Sequence, residues 1–127
     1  MPKVISLTTH TDNRGSLTVI ENSFDFNIKR VFFIYGVNDS KRGAHRHHTT
    51  IQAAVCIQGS CTIYNSDGNS EVDIILNSPD KCLIIEPNNW HIMHTFSKDA
   101  ILLVFASHPY LADDYIYEPY ENSLRRP

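Results

Sequence analysis

The chain has 127 residues and a mass of 14.5 kDa, enough to bury a core without disulfides and too little for two ordinary domains. Eleven Lys and Arg against fourteen Asp and Glu leave a formal charge of −3, which excludes a general electrostatic footprint for nucleic acid. With 42% hydrophobic and 20% charged residues the composition is globular rather than disordered, and the longest apolar run, 100–106, is far too short to span a bilayer. No basic segment followed by an apolar one opens the sequence. Cys56, Cys61 and Cys82 share no CxxC spacing and sit among apolar neighbours, so buried free thiols in the cytoplasm are expected. The unusual feature of the composition is seven histidines.

Short β-prone segments separated by turn residues run the length of the chain. Asp12-Asn13-Arg14-Gly15 predicts a turn into an alternating strand over 16–21, and 29–35 a mostly apolar strand ending at Gly36. Residues 53–57, a Gln58-Gly59 turn and 60–65 read as a hairpin. Asp67-Gly68 then leads into 70–76, where Val72, Ile74 and Leu76 share a face. Breaks at Ser78-Pro79 and Glu86-Pro87-Asn88-Asn89 bound strands over 82–85 and 90–96, and 100–107 reads as a strand buried on both faces. Only the segment from Asp113 onward suggests a helical turn or two. Nine to eleven short strands with no long helix predict an all-β sandwich or small barrel forming a single domain over 1–127.

Within that frame the histidines gain direction. His45 and His47, at i and i+2, project from the same face of a strand, while Arg46 and His48 point the other way. Arg42, His45 and His47 within six residues are too polar for a dry core and imply an interior polar cavity. His10, His48 and His108 are expected at the solvated surface. The run His45-x-His47, then Gln52, then Gly59 at a turn is similar to the first motif of cupin barrels, which in metal-binding members carries a carboxylate where Gln52 stands. Five residues after Pro87 comes Ile92, not a histidine. His91 is one position out and is therefore expected on the opposite strand face, whereas His94 shares the face of Ile92. Gln52 is a poor metal ligand, so no metal and no other cofactor is expected.

A wider set of motifs carries a more specific resemblance. Asp12-Asn13-Arg14-Gly15-Ser16-Leu17, Lys29-Arg30-Val31-Phe32-Phe33-Ile34-Tyr35-Gly36-Val37 and Arg42-Gly43-Ala44-His45-Arg46-His47 form its first half. Pro87-Asn88-Asn89-Trp90-His91-Ile92-Met93, Phe96-Ser97, Leu102-Leu103-Val104 and Asp114-Tyr115-Ile116 form its second. In this order, over about residues 4–120, the chain resembles the cupin sugar 3,4-ketoisomerases that act on dTDP-4-oxo-6-deoxy-D-glucose. The resemblance implies a metal-independent jelly-roll barrel working as a homodimer with N-terminal strands exchanged. It also implies a nucleotide-linked 4-oxo-6-deoxyhexose as substrate and a place in the biosynthesis of surface-polysaccharide sugars. His45, His47, Arg42 and Tyr35 are the pocket residues it points to, with Arg14 a further one. The chain departs from the common His-Ala-His-Lys pattern at Arg46 and His48, and carries His91 where Arg often follows the Trp.

Moving a carbonyl from C4 to C3 requires loss of the C3 proton, an enediol(ate), and reprotonation at C4. Histidine is the side chain tuned for such transfers near neutral pH. His47 is expected to be the base, with His45 orienting it or carrying the second proton, and Arg42 and Tyr35 are expected to stabilise the developing oxyanion. Arg14 and Lys29 or Arg30 could hold the diphosphate. Gln52 and His91 are placed at the substrate, and Trp90 either stacks on the sugar or base or fills the core. Two other classes stay open: a metal-dependent cupin enzyme using His45 and His47 with His94, and a non-catalytic cupin that only binds a nucleotide sugar. Neither a membrane nor a nucleic acid is expected as a partner.

Overall fold

In the computed structural model, residues 2–121 are described. Twelve strands run in chain order: β1 (Lys3–Ser6), β2 (Thr8–Asp12), β3 (Gly15–Val19), β4 (Arg30–Tyr35), β5 (Arg42–His47), β6 (Gln52–Gln58), β7 (Cys61–Ser66), β8 (Glu71–Leu76), β9 (Lys81–Ile85), β10 (Trp90–His94), β11 (Ile101–Ala106) and β12 (Tyr115–Ile116). The helical expectation near Asp113 reduces to one 3-10 turn, Ala112–Asp114. One five-stranded sheet runs β1-β9-β6-β11-β4 and a second runs β12-β5-β10-β7-β8, while β2 and β3 form a separate hairpin. Every pairing is antiparallel. The two sheets close on each other as the jelly-roll barrel of the cupin fold, as the strand pattern predicts.

Between the sheets the inward positions form the main core: Ala54, Cys56, Cys61, Ile63, Leu76, Leu83, Ile85, Met93, Leu102 and Val104, with Phe32, Ile34 and Ile74 packed against it. The alternate residues of β6, β9 and β11 face outward yet are buried as well. Ala53, Val55, Cys82, Ile84 and Phe105 are covered by Ile5, Ile20, Phe24 and Phe26. A chain segment lying over the outer face explains why these strands read as nearly continuous apolar runs. All three cysteines are free and buried.

Close packing demands glycine at the β6–β7 turn and at the start of β5. At the turn, Gly59 sits at φ +69, and a Cβ there would meet the Ser97 hydroxyl at 2.2 Å and the Ala100 Cα at 3.0 Å; only glycine fits. In β5 the register against β10 shifts, with His91 opposite His45 but Ile92 opposite Gly43. Ala44, at φ +59, is thus left over as a bulge. The extra residue changes the parity of the strand, so Arg42 and His45, three apart, reach the same side. Gly43 is needed beside it, since a Cβ there would lie 3.0 Å from the His91 carbonyl oxygen.

Candidate active site

Inside the mouth of the barrel, facing β4, β5 and β10, is a cavity of about 320 Å³ lined by Arg42, His45, Gln52, His91, Tyr115 and Tyr117 over an apolar floor of Phe32, Ile34 and Met93. His47, fully buried, stands against its wall. Its ring centroid is 4.9 Å from that of His45, 6.0 Å from that of His91 and 4.5 Å from that of Tyr115. His45 lies 4.7 Å from both His91 and Tyr115.

The Nδ1 atoms of these three rings are all engaged. His45 Nδ1 lies 3.1 Å from the Gly43 carbonyl oxygen, His47 Nδ1 3.0 Å from Asp114 Oδ2 and His91 Nδ1 3.1 Å from the Asn89 carbonyl oxygen. A carbonyl or ionised carboxylate only accepts, so each Nδ1 carries the hydrogen and each Nε2 keeps its lone pair. Nε2 of His47 and Nε2 of His91 are buried without a hydrogen-bond partner, as is Gln52 Oε1. Buried polar atoms left unpaired in this way are costly and mark a place built for something else to bind or react.

Electrostatics holds the rings neutral. Burial, and then the neighbouring His47, push His45 down to about 4. Burial likewise brings His91 to about 3, with His45 adding to it. Burial also lowers His47, but there Asp114 opposes the shift by accepting its hydrogen and by its charge. Of the three, His47 is thus the ring with a carboxylate to offset the charge of its imidazolium. Asp114 itself would be raised by burial alone. Hydrogen bonds from the Thr50 hydroxyl, the Thr49 hydroxyl and N–H, and His47 outweigh that and keep the carboxyl well below its ordinary range. Arg30 adds positive potential at His45 and His47, its guanidinium lying over Phe32 at 5.2 Å and Tyr110 at 5.8 Å.

Of the residues singled out from the sequence, His45, His47, Arg42, Gln52 and His91 come together here, with Arg30 beside them. His91 corrects the parity argument: it is the inward residue of β10, with Met93. Trp90 and Ile92 face the other way and pack with Tyr64, Ala44 and Tyr120 on the outer side of the sheet. Trp90, fully buried there, is a core filler and does not reach the cavity. Tyr35 also lies elsewhere. On β4, Arg30, Phe32 and Ile34 turn inward, so Tyr35 projects outward, 68% exposed and stacked on Phe33, and Tyr115 is the phenol beside the histidines. Lys29 is exposed, and Arg14, in the β2–β3 turn, pairs with Asp12 away from the cavity of its own chain. His94 bonds Asp73 Oδ1 at 3.1 Å and the Thr95 hydroxyl at 2.8 Å, so His45, His47 and His94 do not assemble as a set. Arg46 points outward as expected, its guanidinium 4.1 Å from the Tyr120 ring centroid.

Sequence reasoning missed the role of Asp114 and Tyr115. Asp114 stands 67 residues from His47, and only the short strand β12, pairing Tyr115 with His47, brings them into register.

A cupin barrel whose pocket holds neutral histidines, one of them backed by a buried carboxylate, with arginine and phenol donors beside them, defines a cupin suited to proton transfer. Comparison with known proteins agrees. The family described as FdtA: WxcM-like, C-terminal matches residues 1–125, and the chain belongs to it. It is 42% identical over 123 residues to a TDP-4-oxo-6-deoxy-alpha-D-glucose-3,4-oxoisomerase of Aneurinibacillus thermoaerophilus, covering 94% of this chain and 88% of that one. Among solved structures, WlaRB, a TDP-quinovose 3,4-ketoisomerase from Campylobacter jejuni, superimposes with a TM-score of 0.87 at 42% identity over 92% of both chains. A histidine-to-asparagine variant of the 3,4-ketoisomerase QdtA from Thermoanaerobacterium thermosaccharolyticum, in complex with TDP-4-keto-6-deoxyglucose, gives a TM-score of 0.89 at 36% identity, covering 92% of this chain and 87% of that one. Among the described residues no helix is long and apolar enough to cross a membrane.

Proposed function

We propose that this protein is a 3,4-ketoisomerase of a nucleotide-linked 4-oxo-6-deoxyhexose, with dTDP-4-oxo-6-deoxyglucose as substrate, serving the synthesis of deoxysugars for surface polysaccharide. The observation that carries the reading is His47, its Nδ1 hydrogen held by a buried carboxylate and its Nε2 lone pair left free beside the cavity. The identities to 3,4-ketoisomerases support the substrate class.

In this reading His47 Nε2 removes the C3 proton, made acidic by the adjacent C4 ketone. Asp114 stabilises the resulting imidazolium through Nδ1–H. The C3–H electrons form the C3–C4 double bond and the carbonyl electrons pass to O4, giving an enediolate whose charge Arg42 and the Tyr115 hydroxyl are placed to receive. The hydroxyl proton of O3 passes to O4, C4 takes a proton from a cavity histidine, and the carbonyl is left at C3. Because His45 and His91 sit near the transferred proton and are themselves hard to charge, the cluster carries one proton at a time. Incubation with dTDP-4-oxo-6-deoxyglucose in D₂O, followed by NMR at C3 and C4, tests this. Deuterium at C4 of a new 3-oxo sugar is expected, and the absence of both exchange and a new ketosugar would refute it.

The same reading makes the working unit a homodimer with exchanged N-terminal strands. It is supported by an apolar row on the open edge strand β4, where Val31, Phe33 and Tyr35 are more than half exposed. The detached β2–β3 hairpin adds an exposed Leu17. Edge strands and apolar patches of this kind need a cover. A second copy supplying its hairpin would set Arg14 and Tyr35 at the interface, and with one barrel per chain the nucleotide would be held by that barrel and its partner. Sedimentation equilibrium is expected to give twice the chain mass; a particle of 14.5 kDa at micromolar concentration would exclude it. Three free buried thiols suit a reducing cytoplasm.

A further inference from the structure

We propose that Arg46 and Tyr120 are positioning residues that act together, a latch on the outer face of the second sheet that holds β12 against β5 and so seats the Tyr115 phenol in the cavity. The latch stands on its contacts alone; its effect on turnover rests on the isomerase reading. By itself β12 is weakly held. It is the edge strand of its sheet and pairs with β5 through two residues, Tyr115 with His47 and Ile116 with Arg46. A ladder so short is marginal, yet it carries the Tyr115 ring, 4.5 Å from that of His47 and 4.7 Å from that of His45. On its N-terminal side the strand is tied down by the Asp114 carboxylate, bonded to His47, Thr49 and Thr50. Its C-terminal side is tied down from the opposite face of the sheet.

There Arg46, opposite Ile116, reaches over the chain that follows. Its Nε donates to the Glu118 carbonyl oxygen at 3.2 Å, and its guanidinium lies 4.1 Å from the Tyr120 ring centroid. A planar guanidinium makes both contacts at once, donating in its plane and stacking with its face. Tyr120 is itself well seated. Its ring packs against Tyr64, Trp90 and Ile92, and lies so near Gly68 that a Cβ there would stand 3.0 Å from a ring carbon. Its hydroxyl donates to the Asn88 carbonyl oxygen at 2.7 Å, and the Asn88 N–H donates to the His47 carbonyl oxygen, also at 2.7 Å. The next residue, Asn89, supplies the carbonyl that holds His91 Nδ1. One ring thus joins β12, the strand of His45 and His47, and the 86–89 turn, all from the side of the sheet turned away from the cavity. Arg46 is one of the two positions at which the chain departs from the common His-Ala-His-Lys pattern, and an alanine there could make neither contact.

The test compares the full chain with Arg46→Ala, Tyr120→Ala and the double variant, well below the unfolding temperature of each. Amide hydrogen exchange, read without substrate, is expected to quicken about tenfold or more at residues 115–117 in both single variants, while β6 and β11 keep wild-type rates. In the isomerisation assay kcat falls roughly ten- to a hundredfold, the cost of about an ångström of misplacement. It falls further than KM rises, because the Tyr115 hydroxyl is needed when charge develops on the sugar oxygen. The double variant falls no further than the worse single one, since either loss opens the same latch. Arg46→Lys keeps a cation over the ring and Tyr120→Phe keeps the ring, each losing one hydrogen bond. Both should lie between the wild type and the alanine variants in exchange and in kcat, and they carry the test if an alanine variant fails to fold. Wild-type kcat in folded Arg46→Ala, losses that multiply in the double variant, or a fall in kcat with exchange at 115–117 unchanged would each overturn the latch. So would a lower melting temperature with kcat and local exchange as in the wild type, which marks a purely structural contact. If the wild-type chain moves no carbonyl while Arg46→Ala still quickens exchange at 115–117, the isomerase reading fails and the latch stands.

Discussion

Replacing His47 by asparagine is expected to lower kcat for the 4-to-3 isomerisation by about 10²–10⁴-fold, the usual worth of a positioned general base, with the barrel still folded. Asparagine keeps a polar group that Asp114 can accept from, so the buried carboxylate is not stranded, but it has no nitrogen lone pair to take the C3 proton. KM should change little, because proton abstraction is an interaction made in the transition state and not in ground-state binding. The pH profile separates this role from a structural one. The neutral imidazole is the active form, and burial holds His47 below its ordinary 6.5. The base form is therefore fully present above pH 6.5, and kcat/KM should fall only as the pH drops through the lowered value. In His47→Asn that acid limb should vanish from whatever activity remains. Measuring kcat/KM for His47→Asn and His45→Asn in parallel identifies the base. Near wild-type turnover in folded His47→Asn, with the loss falling on His45→Asn instead, would exchange the two roles.

The barrel and half of this site are legible in the residues alone, and the reasons are specific. Alternation in β8 and turn chemistry at Gln58-Gly59 and Asp67-Gly68 define strands locally, and strand parity puts His45 and His47 on one face without further information. Parity fails where the chain is irregular. Counting from Pro87 sends His91 outward, because the count carries over a motif spacing that this chain does not keep; the β5–β10 pairing instead sets His91 against His45. The bulge at Ala44 is likewise invisible to a period of two, although Arg42-Gly43 carries a trace of it in the glycine needed at φ +86. Tyr35 and Trp90 look like pocket residues because aromatic side chains serve both pockets and cores. Register decides between those uses, and register is a tertiary property. Asp114 is the plainest case: nothing in its neighbouring sequence reports on His47. A carboxylate following Leu111 and Ala112 looks like the start of a helical turn, and its purpose emerges only once β12 is laid beside β5.

That carboxylate carries the second large effect. Asp114 accepts from His47 Nδ1 at 3.0 Å, from the Thr49 N–H and hydroxyl at 2.8 Å each, and from the Thr50 N–H and hydroxyl. In Asp114→Asn the amide oxygen can serve only one side of this network. If it stays on Thr49, whose two donors are well aligned, the NH₂ group faces His47 and Thr50. A donor opposite Nδ1 favours the tautomer with hydrogen on Nε2, and the lone pair that faced the cavity is lost. The expected result is a fall in kcat of roughly 10²–10⁴-fold, as when the orienting acid of a histidine base is neutralised in other enzymes. A stability loss of about 1–3 kcal/mol should accompany it, from the Thr50 donors left without an acceptor. Because Asp114 raises the His47 pKa against burial, its removal should also move the acid limb of any remaining activity to lower pH. The ¹⁵N chemical shifts of the His47 ring give a readout that unfolding alone would not mimic. Nδ1 and Nε2 should exchange their protonated and unprotonated signatures between the wild-type chain and Asp114→Asn. If the tautomer and kcat were both unchanged while stability fell, Asp114 would be a buried brace for the 49–50 turn and no part of the proton-transfer machinery. Its placement argues against that outcome: two threonines alone would satisfy a structural carboxylate, and the fifth hydrogen bond goes to the histidine whose imidazolium it can stabilise.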